Sequence, residues 1–180
     1  MKKIIVAIFM LVLTMPTMAQ IKSASLTASG LTCSMCSKAI YKALSAVSSV
    51  KEVTVDIEKS TYAIQFKEGE KIVLDDIKNA VTGAGFSVES MQVTAAIDKQ
   101  DVADDTHVNI GGSTFHFVHV NKQTLQGDAT FRLLDKNFVS KAEYNKYHKY
   151  TKMKCYETGY MNSCCPKDKK LENRIYHVTL

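Results

Sequence analysis

The sequence predicts an α+β protein in which a mixed helix-and-strand unit is followed by a smaller, mostly β unit. Three observations predict this class. In residues 22–93 the apolar residues switch repeatedly between alternating and helical spacing. Residues 94–105 are polar and contain four aspartates, which is typical of a linker. Residues 106–180 contain several short strand-like stretches.

The first unit, residues 22–93, is predicted to contain four strands and two helices. In chain order we predict a strand around 24–28, a helix from Ser34 to about Val47, a hairpin of strands around 53–57 and 62–66, a helix around 73–81, and a strand around 86–93. Gly83 and Gly85 are expected to end the second helix. The order βαββαβ is that of a ferredoxin-like fold.

The second unit, residues 106–180, is predicted to be mostly β. Ser140 followed by Glu143 fits a capping box and predicts a helix to about Tyr150. Five strands with a helix between the third and fourth is the order of a small Greek-key barrel of the OB type. The sequence indicates no role for this unit. Its strands are predicted near 106–110, 114–120, 124–134, 153–160 and 174–180.

Residues 1–19 have the three parts of a signal peptide. Lys2 and Lys3 form a positive start, ten apolar residues follow, and small residues precede a cleavage point after Ala19. Ten apolar residues cover about half of the roughly 20 that a membrane-spanning helix needs. We therefore expect export to a periplasm or to the medium, a mature chain from Gln20, and no stable membrane insertion after cleavage.

Residues 30–36, Gly-Leu-Thr-Cys-Ser-Met-Cys, carry the main chemical signal. Two thiolates separated by two residues can converge on one ion, and the start of the predicted helix favours their charged form. A pair of thiolates without a carboxylate or histidine nearby in the sequence selects soft ions. Zinc usually takes four ligands, and this loop supplies two. Cys33 and Cys36 are therefore predicted to bind Cu(I) first, with Ag(I) or Hg(II) as alternatives.

The same residues resemble the metal loop of heavy-metal-associated (HMA) domains, the family of copper chaperones, copper-pumping ATPases and periplasmic mercury-binding proteins. The family pattern is Gly-Met-Thr-Cys-x-x-Cys, and here Leu31 stands in place of the methionine. Gly85-Phe86 resembles the family's Gly-Tyr or Gly-Phe pair beside that loop. The resemblance covers residues 22–93. It implies that Cys33 and Cys36 are the ligands of a carrier that passes metal by ligand exchange to a partner, such as a membrane metal pump or efflux component.

Other functions fit the sequence less well. A mercury-binding periplasmic protein would use the same two thiols. A dithiol-disulfide redox protein of the thioredoxin type has a tryptophan before its CxxC and a cis-proline facing it, whereas this chain has no tryptophan and only Pro16 and Pro166. No motif for another enzyme stands out. The formal net charge of +5, to which the leader contributes two lysines, does not indicate a nucleic-acid surface.

Three further cysteines, Cys155, Cys164 and Cys165, form a second group. In an exported protein we expect a disulfide from Cys155 to one of the other two. The alternative is a second soft-metal site with three thiols and a histidine. His116 and His119 are three apart on a predicted strand, so their side chains point to opposite faces and this spacing does not make a metal site on the strand. We expect separate surface or half-buried positions for the five histidines, His107, His116, His119, His148 and His177.

Overall fold

The computed structural model describes residues 19–30, 34–161 and 174–180. All strands in these ranges belong to one sheet with the order β2-β3-β1-β4-β7-β8-β6-β5. The elements are β1 (Gln20–Ser29), α1 (Ser34–Ser45), β2 (Val50–Asp56), β3 (Thr61–Phe66), α2 (Leu74–Gly83), β4 (Ser87–Val102), β5 (His107–Ile110), β6 (Ser113–Phe117), β7 (Gln123–Leu133), α3 (Lys141–Tyr147), α4 (Cys155–Thr158) and β8 (Ile175–Thr179).

The predicted βαββαβ order of the first half is confirmed. β1 lies between β3 and β4 and is antiparallel to both, and β2 and β3 form the predicted hairpin. The helices bury their apolar residues, Ile40 and Leu44 on α1 and Ile77 and Val81 on α2, in the same cluster as Leu26 of β1. The helical spacing of these residues gives each helix one apolar side, and that side covers the sheet.

The residues predicted as a linker differ from the prediction, because β4 continues through them to Val102. Val93, Ala95 and Ile97 are buried and their immediate neighbours are more exposed, so the alternation of a half-buried strand extends into this segment. The aspartates lie on the exposed positions or in the turn that follows. β4 pairs with β7 from Gln92 to Val102. A single cluster of buried residues therefore runs through both halves of the chain.

The second half differs from the predicted OB-type barrel. Its strands continue the sheet of the first half in the order β7-β8-β6-β5, with β6 parallel to β8, and a barrel is not confirmed. The segment predicted as a strand near 153–160 contains the short helix α4 instead. The two buried residues of this helix, Cys155 and Tyr156, are adjacent, whereas the buried residues of a half-buried strand alternate. The predicted helix start is confirmed, since the Ser140 side chain accepts a hydrogen bond from the Glu143 backbone N–H at 3.2 Å. The reciprocal bond of a capping box is replaced, because the Ser140 backbone N–H donates to the Glu89 carbonyl oxygen at 3.1 Å.

Several predictions concern residues outside the described ranges. These are the leader up to residue 18 and three of the five cysteines, Cys33, Cys164 and Cys165. Among the helices that are described, none has the length and apolar character needed to cross a bilayer.

Candidate metal-binding sites

The described part of the CxxC motif lies at the start of α1. Cys36 is the third residue of this helix and is half-buried, and its neighbour Met35 is 76% exposed. Cys33 is outside the described residues, so its distance from Cys36 is not given by the structure. Gly30, which ends β1 with a φ of +83°, has the left-handed backbone conformation that favours glycine.

Buried contacts directly after Cys36 hold the first turn of α1 in place. Ser37 is buried directly after Cys36, and the Tyr62 hydroxyl of β3 donates a hydrogen bond to the Ser37 carbonyl oxygen at 3.5 Å. Tyr62 is fully buried. The first turn contains no acidic residue, so the positive end of the helix is not neutralised by a neighbouring carboxylate. This position favours an anionic sulfur at Cys36.

The Gly85-Phe86 pair, which resembles the aromatic pair of the family pattern, follows α2. Gly85 has a φ of +90°, and the next residue, Phe86, is half-buried and packs against the main core. The predicted role of Gly83 and Gly85 in ending α2 agrees with the helix's last residue, Gly83. The predicted contact between Phe86 and the metal loop stays a prediction, because residues 31–33 lie outside the described ranges.

Cys155, the described member of the second cysteine group, is fully buried at the start of α4. Cys164 and Cys165 lie outside the described residues. Both predicted roles for this group, the disulfide and the second metal site, therefore stay predictions at this point.

Three histidines that the sequence did not predict to be neighbours lie side by side in the sheet. His107 of β5 is the register partner of His116 of β6, and His116 is the register partner of His177 of β8. Their ring centroids are 4.7 Å and 5.0 Å apart, respectively. His107 is half-buried as expected, but the expectation was wrong for His116 and His177, which are both 0% exposed. Register partners on adjacent strands point to the same face, so the three rings form one row.

A two-residue turn sets the pairing of His107 with His116. Gly111 and Gly112 both have positive φ, at +59° and +79°, as the favoured two-residue hairpin turn requires. The turn pairs Ile110 with Ser113, and this register places His107 opposite His116. The Gly-Gly pair is visible in the sequence and could have predicted this contact. The parallel pairing that adds His177 joins strands far apart in the chain, and no local pattern indicates it.

Two carboxylates hold the row of histidines from outside. His116 Nε2 lies 2.8 Å from Asp105 Oδ1, and His177 Nδ1 lies 3.1 Å from Asp135 Oδ1. Because an ionised carboxylate only accepts hydrogen bonds, these two ring nitrogens carry the protons. In the neutral form of each ring, His116 Nδ1 and His177 Nε2 are then the nitrogens with lone pairs.

Those lone-pair nitrogens are buried, and so is His107 Nε2. None of the three has a hydrogen-bond partner within the part of the chain that the structure describes. A buried polar atom without a partner costs about 1–3 kcal/mol. Three such nitrogens in one row therefore call for a metal ion or a hydrogen-bond donor that binds them.

The electrostatic surroundings favour the neutral form of His107 and His116. Burial, together with the nearby His177, lowers the pKa of His116 to about 4, although Asp105 opposes the shift. Burial and His177 likewise lower the pKa of His107. Burial alone would raise the pKa of Asp135, but hydrogen bonds from His177 and the charge of Arg174 outweigh it and lower that pKa. At neutral pH the rings of His107 and His116 are therefore neutral, which is the form of histidine that binds metals.

Cys155 lies beside the row. One ligand atom each from His107, His116 and Cys155 lie within 4.8 Å of one another. The sequence predicted a disulfide from Cys155 to Cys164 or Cys165, or a second soft-metal site of these three thiols with one unspecified histidine. In the fold its sulfur is next to imidazole nitrogens from two strands.

Comparison with known proteins identifies the first half. Residues 25–87 match the family model of the heavy-metal-associated domain. The chain is also similar to the crystal structure of oxidized MerP from Ralstonia metallidurans CH34, with 30% sequence identity. The match covers 39% of this chain and 96% of the MerP chain, with a TM-score of 0.34. Residues 25–87, about a third of the chain, are therefore similar to the heavy-metal-associated domain family.

Two other solved structures are also similar to part of this chain. The CopZ metallochaperone is 24% identical, with 37% of this chain and 97% of that chain covered and a TM-score of 0.34. The yeast copper transporter domain Ccc2a, solved in the apo and Cu(I)-loaded states, is 23% identical, with 36% and 88% covered and a TM-score of 0.33. A search of curated proteins gave no match.

Proposed function

We propose that this protein is an exported carrier that binds one soft metal ion, Cu(I) first, between the thiolates of Cys33 and Cys36. The observation that carries the proposal is the position of Cys36, half-buried in the first turn of α1 within the segment that matches the heavy-metal-associated domain. Cys33 precedes it by three residues. Ag(I) and Hg(II) have the same preference for thiolate pairs and are the alternative cargoes.

Transfer follows from low coordination at an accessible site. Two thiolates leave a soft ion with room for a third sulfur, so a partner's thiolate can bind before one of the protein's own sulfurs leaves. Met35 is strongly exposed beside Cys36, which supports access from solvent to this end of α1. The partner we propose is a membrane metal pump or efflux component with a thiolate pair of its own. No substrate bond is made or broken in this exchange, so the proposal is a carrier rather than an enzyme.

The ligands are tested by an anaerobic Cu(I) titration against a chromophoric chelator. We expect the protein to take one equivalent from the chelator, and we expect the double variant Cys33→Ser/Cys36→Ser to lose that equivalent. Lys42→Ala, which changes an exposed residue on the same helix, is the matched control and should keep wild-type affinity. Undiminished binding by the double variant would refute the proposal.

Export is tested separately, by sequencing the N terminus of protein recovered from the producing cell. A chain that begins at Gln20 is expected. A recovered chain that still begins at Met1 would contradict export by this leader. The result is independent of the metal titration, so the two parts of the proposal can fail separately.

A further inference from the structure

We infer that the second half of the chain contains a separate, resident metal centre for a divalent ion of the zinc type, held by His107, His116 and Cys155, with His177 as the fourth ligand. This site is distinct from the CxxC pair and does not depend on the carrier function proposed above. It makes use of the three buried ring nitrogens that have no partner among the described residues.

The set of donors selects the metal. Imidazole nitrogens and one thiolate are the ligands that structural zinc sites combine, with four ligands in a tetrahedral arrangement. Ligand atoms at 2.0–2.3 Å from zinc lie roughly 3.3–3.8 Å apart. The atoms of His107, His116 and Cys155 already lie within 4.8 Å of one another. Small side-chain rotations therefore suffice to close the three donors around one ion.

The surroundings of the histidines are those of a built site. A metal-binding histidine usually donates its other ring N–H to a carboxylate, which fixes the tautomer and the ring orientation. His116 and His177 both have this arrangement, with Asp105 and Asp135 respectively. In each case the carboxylate binds one nitrogen and leaves the other as the lone-pair donor.

The carboxylates are themselves held in place. Thr151 Oγ1 donates a hydrogen bond to Asp105 at 3.2 Å. Asp135 accepts hydrogen bonds from Arg174 at 3.0 Å and from the His177 backbone N–H at 2.7 Å. Packing of the rings against one another would explain the row of histidines, but it would not explain why three buried ring nitrogens have no hydrogen-bond partner among the described residues. A metal ion explains both.

Burial indicates a resident ion rather than a cargo. His116 and His177 are 0% exposed, and the four side chains come from β5, β6, β8 and α4. Release of the ion would require these elements to separate. The ion would instead connect α4 to three strands of the sheet. A disulfide from Cys155 to Cys164 or Cys165 is the competing use of the same sulfur, and the two uses exclude each other.

The test uses the full chain carrying Cys33→Ser and Cys36→Ser, so that the CxxC pair cannot contribute. Under reducing conditions we expect this protein to bind one equivalent of zinc in competition with a chelator. Cobalt(II) in place of zinc should give the intense visible bands of a tetrahedral site and a sulfur-to-cobalt charge-transfer band. Failure to retain zinc, or a cobalt spectrum without the sulfur band, would overturn the proposed centre.

Variants in the same background assign the ligands. His116→Gln and His107→Gln should each abolish stoichiometric zinc binding, and Asp105→Asn should weaken it by about 10–100-fold. His148→Gln is the matched control, because this exposed histidine bonds Glu157 outside the row, and it should bind as the background does. Equal affinity in all variants would overturn the assignment.

His116 is fully buried, so His116→Gln could fail to fold. His107 is half-buried on β5, the strand at the end of the sheet order, and its variant decides the question in that case. Zinc should raise the melting temperature of the background protein and leave that of a folded His107→Gln variant unchanged. An equal rise in both would contradict the proposal.

Discussion

The two described cysteines, Cys36 and Cys155, each lie in the first turn of a helix, yet their surroundings differ in almost every respect. Cys36 is half-buried at the start of a 12-residue helix whose first turn contains no acidic residue. Cys155 is fully buried at the start of a four-residue helix, beside imidazole nitrogens from two strands. The comparison teaches that neighbours and burial, rather than the sulfur itself, decide which ion a cysteine suits. An accessible thiolate pair suits exchange of a soft ion, whereas a buried mixture of nitrogen and sulfur suits retention of a harder one.

The two regions are nevertheless joined in one sheet through the pairing of β4 with β7. A side-chain network also connects them, since Arg174, next to β8, bonds Asp75 of α2 at 2.8 Å and Asp135 at 3.0 Å. Variants that disturb one region and leave the metal-binding residues of the other unchanged therefore test how independent the two regions are.

The largest effect is expected from Asp135→Ala. Asp135 is buried and bonds both Arg174 and His177, so its removal leaves a charged guanidinium short of a partner and an imidazole without its support. Breaking a buried ion pair in this way typically costs about 3–5 kcal/mol. We expect a loss of this size in the free energy of unfolding, measured by urea denaturation. Asp128→Ala removes an exposed ion pair with Lys22 and should cost less than about 1 kcal/mol.

The same variant tests the independence of the two sites. Folded Asp135→Ala protein should keep its Cu(I) affinity at Cys33 and Cys36, because Asp135 is not part of the CxxC region. A parallel loss of Cu(I) binding would show that the two sites are not separable.

A smaller effect is expected from Asp75→Asn, which weakens the connection between α2 and β8. Asp75 accepts hydrogen bonds from Lys78 at 2.6 Å, Arg174 at 2.8 Å and the Tyr176 hydroxyl at 3.0 Å. Replacing the charge should cost about 1–2 kcal/mol at neutral pH. The neighbouring Asp76 is exposed, and Asp76→Asn is the control that should change the free energy of unfolding by less than about 0.5 kcal/mol.

The pH dependence of this effect has a defined sign. Burial alone would raise the pKa of Asp75, but Lys78 and Arg174 outweigh it and hold that pKa below its ordinary value of 3.8. The ionised carboxyl therefore stabilises the fold fully above pH 3.8, and this contribution is lost as the pH falls through the lower, folded-state pKa. Urea denaturation of the wild type and Asp75→Asn should converge at acid pH. A difference that stays constant below pH 3.8 would contradict the assignment.

The smallest effect is expected from Met35→Ala. Met35 lies between the two predicted ligands but is 76% exposed, so it is not expected to bind the ion through its thioether. Cu(I) affinity should stay within about a factor of two, and the free energy of unfolding should change by less than about 0.5 kcal/mol. A tenfold loss in the chelator competition would place a third sulfur in the site.

The sequence predicted what local patterns can show. Alternating and helical spacing gave the order of the first half, and Ser140 with Glu143 gave the start of α3. The linker prediction failed because Asp98 and Asp101 occupy exposed positions of a strand, where charged residues make a half-buried strand look like a loop. The barrel was not found because strand order in the second half depends on the parallel pairing of β6 with β8, which no local pattern encodes.

Local sequence patterns also failed to predict the row of three histidines. His116 was judged against His119 on its own strand, where the two point to opposite faces. Its relevant neighbours lie across the sheet, one reached through the Gly-Gly turn and one through the long-range pairing with β8. Burial of His116 and His177 follows from that pairing, so composition alone could not reveal it. The CxxC motif needed no such knowledge, because its two sulfurs are close in sequence.

The most direct test of the carrier site is X-ray absorption at the copper edge, on reduced protein loaded with one equivalent of Cu(I). The account predicts two sulfur neighbours and no imidazole nitrogen, with the signal lost in Cys33→Ser/Cys36→Ser. A spectrum dominated by imidazole nitrogen would place the copper in the buried row of histidines instead, and would contradict the assignment of Cys33 and Cys36 as the ligands.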